Sequence, residues 1–323
     1  MADREIPEKI TGPLFFLQPF VKIIIKMLSI IIPTLNEEAY LSLLLDSIKK
    51  QNFKDFEIVV SDAYSKDRTR DVARKYGCKI VDGGLPAKGR NQGAAAAQGD
   101  LFLFLDAETL LSDNFLKKVL QEFNDRNLDV SGCGHIPIGI EWAPKAIHPQ
   151  FFYNLLYNWP VRFLQGVFPY AASLILVKRE IFQAVGGFDE NIKIAEDHDF
   201  VRRAAKVGRF GFLKGVKLPL FLRRFEKEGL WRTNFKYFFC NILNIFFGNV
   251  KINIFRYDFG QYQKKRVLKG RDKKAKKTNF LFQFVWIIVS YLMSGIVFLS
   301  WILIFLLFTP KIVILKTKNI LKR

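Results

Sequence analysis

Four short polar clusters follow apolar runs in the 323-residue chain: PTLNEE (33–38), DAYSKDRT (62–69), GGLPAKGRN (83–91) and DAET (106–109). Three of them present carboxylates. The third offers Lys88 and Arg90 among glycines, whose missing side chains let backbone approach a ligand closely. Carboxylates and fixed cations at one rim suit a metal-bound diphosphate, because Mg²⁺ or Mn²⁺ takes oxygen ligands and is commonly held by one or two carboxylates together with substrate phosphates. Singly, such acids also serve as helix caps; four clusters in register describe a site. Further on, GGFDENIKIAEDHDF places Glu196 and Asp197 at the start of a predicted helix that continues through Val207. Acids there complement the helix macrodipole. His198, beside them, reads as a surface residue or as a metal ligand.

The elements that must hold these clusters alternate. Residues 27–33 form a short β-branched run that stops at Pro33, and residues 37–51 carry Leu41, Leu44, Leu45 and Ile48 at helical spacing. Strands follow at 56–61, 78–82 and 101–105, with helices at 67–76, 91–98 and 113–124 and short connections between them. Strand and helix in turn predict a mostly parallel α/β sheet with helices on both faces. Ligands of such sheets bind beyond the carboxyl ends of the strands, which is where the four clusters fall.

Composition adds a location. Lys and Arg number 50 against 30 Asp and Glu, a formal net charge of +20, and half the residues are hydrophobic. So apolar a chain buries enough surface to exclude disorder. Three scattered cysteines, Cys78, Cys133 and Cys240, make neither a disulfide framework nor a metal pair. Residues 281–308 run without one charged side chain. As a helix they would be about 42 Å long against a hydrocarbon core of about 30 Å, which predicts one transmembrane span with tilt. Nine basic residues lie between 261 and 277 and five follow Pro310, so the positive-inside rule puts the large N-terminal part on the cytoplasmic side of the cell membrane. The basic run would be drawn to an anionic lipid bilayer. Nearly half of the charge excess sits beside this span and the aromatics lack a basic stripe, so nucleic acid is not expected as a partner. The start, MADREIPEK, mixes acids with bases and does not read as a cleaved signal; residues 1–26 suit either a membrane-interface segment or packing against the first strand.

SIIIPTLNEE, EIVVSDAYSKDRT, KGRNQGAAAAQGDLFLFLDAETLL and VGGFDENIKIAEDHDF together resemble the ordered motifs of family 2 glycosyltransferases, over about residues 28–224. The resemblance implies a GT-A fold and inverting sugar transfer from a nucleotide donor, a UDP-sugar first among candidates. It implies that Pro33, Thr34 and Glu37 line the nucleoside, that Asp62 meets the base, and that Lys88 and Arg90 lie near the diphosphate. Asp106 and Glu108 stand at the D-x-D, where the first acid meets ribose or metal and the last holds metal. Glu108 is one methylene longer than the commoner Asp. Asp197 matches the general base, with Glu196 positioning the acceptor. Arg223 and Arg224 resemble a diphosphate-clamping pair of nonprocessive relatives, and EGLWR (228–232) lacks the order of the processive Q-x-x-R-W motif. The expected organisation is an N-terminal segment (1–26), a GT-A domain (27–225), a basic juxtamembrane region (226–279), a transmembrane helix (280–309) and a basic tail (310–323). The aromatic stretch FFYNLLYNWPVRFLQGVFPY (151–170) reads as core or as a surface that brings a lipid-linked or membrane-proximal acceptor to Asp197. Two other classes share parts of the pattern: a nucleotidyltransferase, which needs no second-half base, and a noncatalytic membrane adaptor, for which the acids are dispensable.

Overall fold

The computed structural model describes residues 27–138, 154, 158–166, 169–192 and 195–223. In chain order the elements are β1 (Leu28–Thr34), α1 (Glu38–Lys49), β2 (Phe56–Asp62), α2 (Thr69–Lys75), β3 (Lys79–Asp82), α3 (Pro86–Ala96), β4 (Leu101–Leu105) and α4 (Phe115–Asp125). They continue with β5 (Val130–Ile138), α5 (Trp159–Leu164), β6 (Leu174–Lys178), α6 (Arg179–Ala184), α7 (Glu196–Val207) and β7 (Phe210–Phe221).

Seven strands make one sheet in the order β3-β2-β1-β4-β6-β5-β7. β1, β2, β3 and β4 pair in parallel, as does β5 with β7. β6 is antiparallel to both its neighbours, β4 and β5, so the sheet is mixed. The alternation gave no sign of this reversal, because a five-residue apolar run looks the same from either end.

Side chains along a strand point alternately to opposite faces, and both faces here are apolar. Leu28, Ile30 and Ile32 of β1 with Leu101, Leu103 and Leu105 of β4 meet Leu41, Leu44, Leu45 and Ile48 of α1 and the buried face of α4. On the other face Ile31, Phe102 and Phe104 pack against α3 and against Phe200, Val201 and Ala204 of α7. Phe104 sits in an aromatic cluster, its ring 5.6 Å from Phe182, 5.1 Å from Phe188 and 6.4 Å from Phe200. Through Phe200 that cluster packs against α7.

One boundary departs from expectation. The glycine-rich stretch 83–91 is a loop only as far as Leu85; Pro86 occupies a first-turn position, where its missing N–H is no loss, and the helix runs from there. Two glycines of this helix are contact residues. A Cβ on Gly93 would collide with Ile31, and one on Gly89 would lie 3.3 Å from Pro33. α3 thereby lies close against β1, and Lys88 and Arg90 ride on a helix, two residues apart and on different sides of it: Lys88 is exposed and Arg90 buried.

Among the described residues no helix is long and apolar enough to cross a membrane. The expected span at 281–308, the juxtamembrane region, the tail and residues 1–26 lie outside the described residues.

Candidate active site

Because β1, β2 and β4 run in parallel, their carboxyl ends open on one rim, and the loops beyond them are tied together there. Thr34 and Asp62 are register partners across β1 and β2, and the Thr34 hydroxyl donates to Asp62 Oδ1 at 3.1 Å. Asp62 is fully buried and accepts at Oδ2 from the Ser65 amide at 3.0 Å, with Arg70 3.5 Å away. The turn it organises holds Tyr64 in left-handed backbone with its ring exposed. Asn36 ties the two loops, its amide donating to Ser65 Oγ and its side-chain oxygen accepting from the Lys66 amide, both at 2.8 Å. Asp62 is thus already the hub of the 62–69 turn. Pro33 is half-buried beside it.

Two arginines join the remaining acids. Arg90, 5% exposed, donates from Nη1 to Glu196 Oε1 at 2.6 Å and from Nη2 to Asp106 Oδ1 at 2.9 Å. Burial works against its charge, but Asp106, Glu196 and Asp197 outweigh that and hold the guanidinium above its ordinary value. Arg223 forks onto Glu37, Nη1 to Oε2 at 2.8 Å and Nη2 to Oε1 at 2.9 Å, while its Nε donates to Glu108. The same guanidinium lies 4.3 Å from the Tyr40 ring centroid. Glu37 therefore turns toward Arg223. The two described arginines expected near phosphate, Arg90 and Arg223, are bonded here to carboxylates. Lys88 stays on the exposed side of α3, and Arg224 lies outside the described residues.

The first turn of α7 carries the second-half acids. Ala195, just before it, has φ +62°, a left-handed conformation that costs a non-glycine residue about 1–2 kcal/mol. The carboxyl of Asp197 is 15% exposed, and its Oδ1 accepts from the His198 amide at 2.9 Å. Burial raises Asp197 to about 6 against the pull of Arg90. The His198 ring packs on Tyr170, centroids 4.2 Å apart, with its Nε2 3.6 Å from Asp197 Oδ1. Below, buried His135 is linked through Nε2 to the Ala172 carbonyl at 2.9 Å, and Asn158 bonds both the amide and the carbonyl of His135. Burial lowers the His135 pKa. Tyr170, Asn158 and His135 were not singled out from sequence; a lone histidine and two residues from an aromatic-rich stretch carry no spacing signal.

Asp106 and Glu108 flank Ala107 with side chains 30% and 28% exposed. Among the described residues no three His, Cys, Asp or Glu side chains gather as a cation cage. Five carboxyl groups (Glu37, Asp106, Glu108, Glu196, Asp197) face two guanidiniums, however; burial raises Glu37 to about 7, Asp197 to about 6 and Glu196 above its ordinary value, and Asp106 and Glu108 are the more exposed of the five. Those two partly exposed hard-oxygen donors fit a divalent cation whose other ligands are phosphate oxygens and water.

Residues 29–186 match the model of Glycosyl transferase family 2. That stretch, just under half of the chain, carries a family 2 glycosyltransferase domain. Similar proteins include the uncharacterized glycosyltransferase EpsJ of Bacillus subtilis, 28% identical over 195 residues that cover 54% of this chain and 55% of EpsJ. Another is the poly(ribitol-phosphate) beta-N-acetylglucosaminyltransferase TarS of Staphylococcus aureus, 27% identical over 187 residues that cover 54% of this chain and 32% of TarS. The chain thus spans about half of EpsJ and a third of TarS. In fold it is similar to the mannosyltransferase PcManGT of Pyrobaculum calidifontis, solved with GDP-Man and Mn²⁺, at a TM-score of 0.50 and 20% identity, covering 61% of this chain and 57% of that one. The family match ends just past α6, so the acids of α7 and Arg223 lie beyond the matched stretch.

Proposed function

We propose that this family 2 glycosyltransferase is an inverting enzyme that moves a sugar from a nucleotide-diphosphate donor, UDP-linked first, to a lipid-linked or membrane-proximal acceptor hydroxyl or phosphate. One observation carries the reading: the acids after β4 and the acids opening α7, about ninety positions apart in sequence, meet at a single guanidinium on the carboxyl rim of the sheet.

Asp106 and Glu108 would hold Mg²⁺ or Mn²⁺, which when bound draws charge from the departing diphosphate. Asp197 takes the proton from the acceptor hydroxyl as its oxygen attacks the anomeric carbon; its value near 6 leaves it largely ionised at neutral pH yet basic enough to accept. Tyr170 and His198 wall one side of that carboxylate. Pro33 and Thr34 line the nucleoside end, and Asp62, already spoken for by Thr34 and Ser65, receives the base by way of the turn it organises. Lys88, exposed on α3, and Arg224, outside the described residues, are the cations assigned to the donor's phosphates. A single membrane span at 281–308, with the catalytic domain on the cytoplasmic side, and the anionic bilayer belong to this proposal as well. A nucleotidyltransferase has no use for Asp197, and a membrane adaptor has no use for any of these acids, which disfavours both.

The test is a panel of nucleotide sugars with the purified chain and Mn²⁺ or Mg²⁺, following free nucleoside diphosphate with and without a lipid extract. UDP-N-acetylglucosamine leads the panel because TarS is named for that sugar, and GDP-mannose accompanies it. Asp197→Asn should abolish turnover of the accepted donor while leaving its binding intact; release of pyrophosphate instead of nucleoside diphosphate would overturn sugar transfer.

A further inference from the structure

Arg90 was expected beside the donor diphosphate, yet its guanidinium is buried and both terminal nitrogens are committed. Nη1 donates to Glu196 at 2.6 Å, Nη2 donates to Asp106 at 2.9 Å, and the plane sits 5.3 Å from the Phe188 ring centroid. Its neighbour in sequence reinforces the same junction. Asn91 Nδ2 donates to the Phe188 carbonyl and its Oδ1 accepts from the Phe188 amide, both at 2.9 Å. One turn of α3 thus grips the strand end that carries Asp106, the segment leading to α7, and the first residue of α7 itself. The residue just ahead of that helix, Ala195, stands in left-handed backbone, a conformation that persists only where the surroundings over-determine it.

We propose that Arg90 is a positioning residue: its guanidinium fixes Asp106 and the Glu196–Asp197 turn relative to one another, so that the acid assigned to the donor and the acid assigned to the acceptor are held at one spacing. A flat, forked cation spans two carboxylates in fixed geometry, which the single ammonium of lysine cannot do. Among the described residues, phosphate contact then falls to the exposed Lys88, together with the cation. The inference rests on the roles proposed above for Asp106 and Asp197, and the experiment separates the two.

Hydrogen exchange on the full chain gives the decisive reading, since it needs no turnover. In Arg90→Lys the amides of His198, Asp199 and Thr109 should exchange about tenfold faster or more, while those of β1 keep their protection, as expected of a local opening. Affinity for Mn²⁺–UDP should hold within about threefold, and for the donor that the panel identifies kcat should fall about a hundredfold with KM little changed, the size of effect that a small misplacement produces. Unchanged exchange at those three amides, or a tenfold loss of Mn²⁺–UDP affinity with kcat intact, overturns the proposal and makes Arg90 a donor ligand. Glu196→Gln keeps the side chain's shape while removing its charge, and covers the case in which Arg90→Lys does not fold. It should loosen His198 and Asp199 but leave Thr109 protected; no loosening at α7 overturns the proposal equally. A silent donor panel with the predicted exchange pattern would sink the function and leave the positioning role standing.

Discussion

At the scale of residues, the chemistry turns on which acids keep an ionised oxygen. Asp197 is raised to about 6 by burial, and a general base works only when deprotonated. Turnover should therefore be flat above about pH 7 and fall as pH drops through about 6, approaching tenfold per unit below it; a pH profile of kcat without an acid limb in that range would remove Asp197 from the role. Asp106→Ala together with Glu108→Ala should abolish metal-dependent nucleotide binding, read by calorimetric titration of Mn²⁺–UDP, and an unchanged titration would refute their part. The positions of Asp106, Glu196 and Asp197 were legible from sequence because acids placed just after an apolar strand or at a helix start leave a local pattern. The partners of the two arginines were not. Arg223 and Glu37 are 186 positions apart, and no spacing rule says which anion a cation will choose when several are within reach.

At the scale of elements, α3 is the piece that composition misreads. Glycines at 83, 84 and 89 argued for a loop running to Asn91, whereas Gly89, with Gly93 further along, lets a helix press against β1. Gly93→Ala must push its methyl into Ile31, and overpacking of this kind typically destabilises by about 1–3 kcal/mol. Urea denaturation should show that loss, and activity should fall along with it if α3 is shifted, since Arg90 rides on the same helix. The order and type of the early elements came from hydrophobic period, with boundaries off by a residue or two. The antiparallel sense of β6 did not, because direction is set by the connection between β5 and β6 and not by Leu174–Lys178 themselves.

At the scale of the molecule, the formal charge of +20 and the uncharged run 281–308 together argue for attachment to a membrane with the catalytic domain on the basic side. Deleting everything after Asp272 together with residues 1–26 should move the protein from the membrane pellet to the supernatant on fractionation; persistence in the pellet would defeat the anchor. The domain's identity was readable because its motifs are local and ordered, while the acceptor is not written in any short motif.

The pairing of Arg223 with Glu37 and Glu108 has a mechanical corollary. Arg223, two residues past β7, buttons the end of that strand to the loop after β1 and to the acid beside Asp106. Any displacement of Arg223 would tug on those two carboxylates before it strained the sheet, so a disturbance at this end of β7 would be felt in the pocket first.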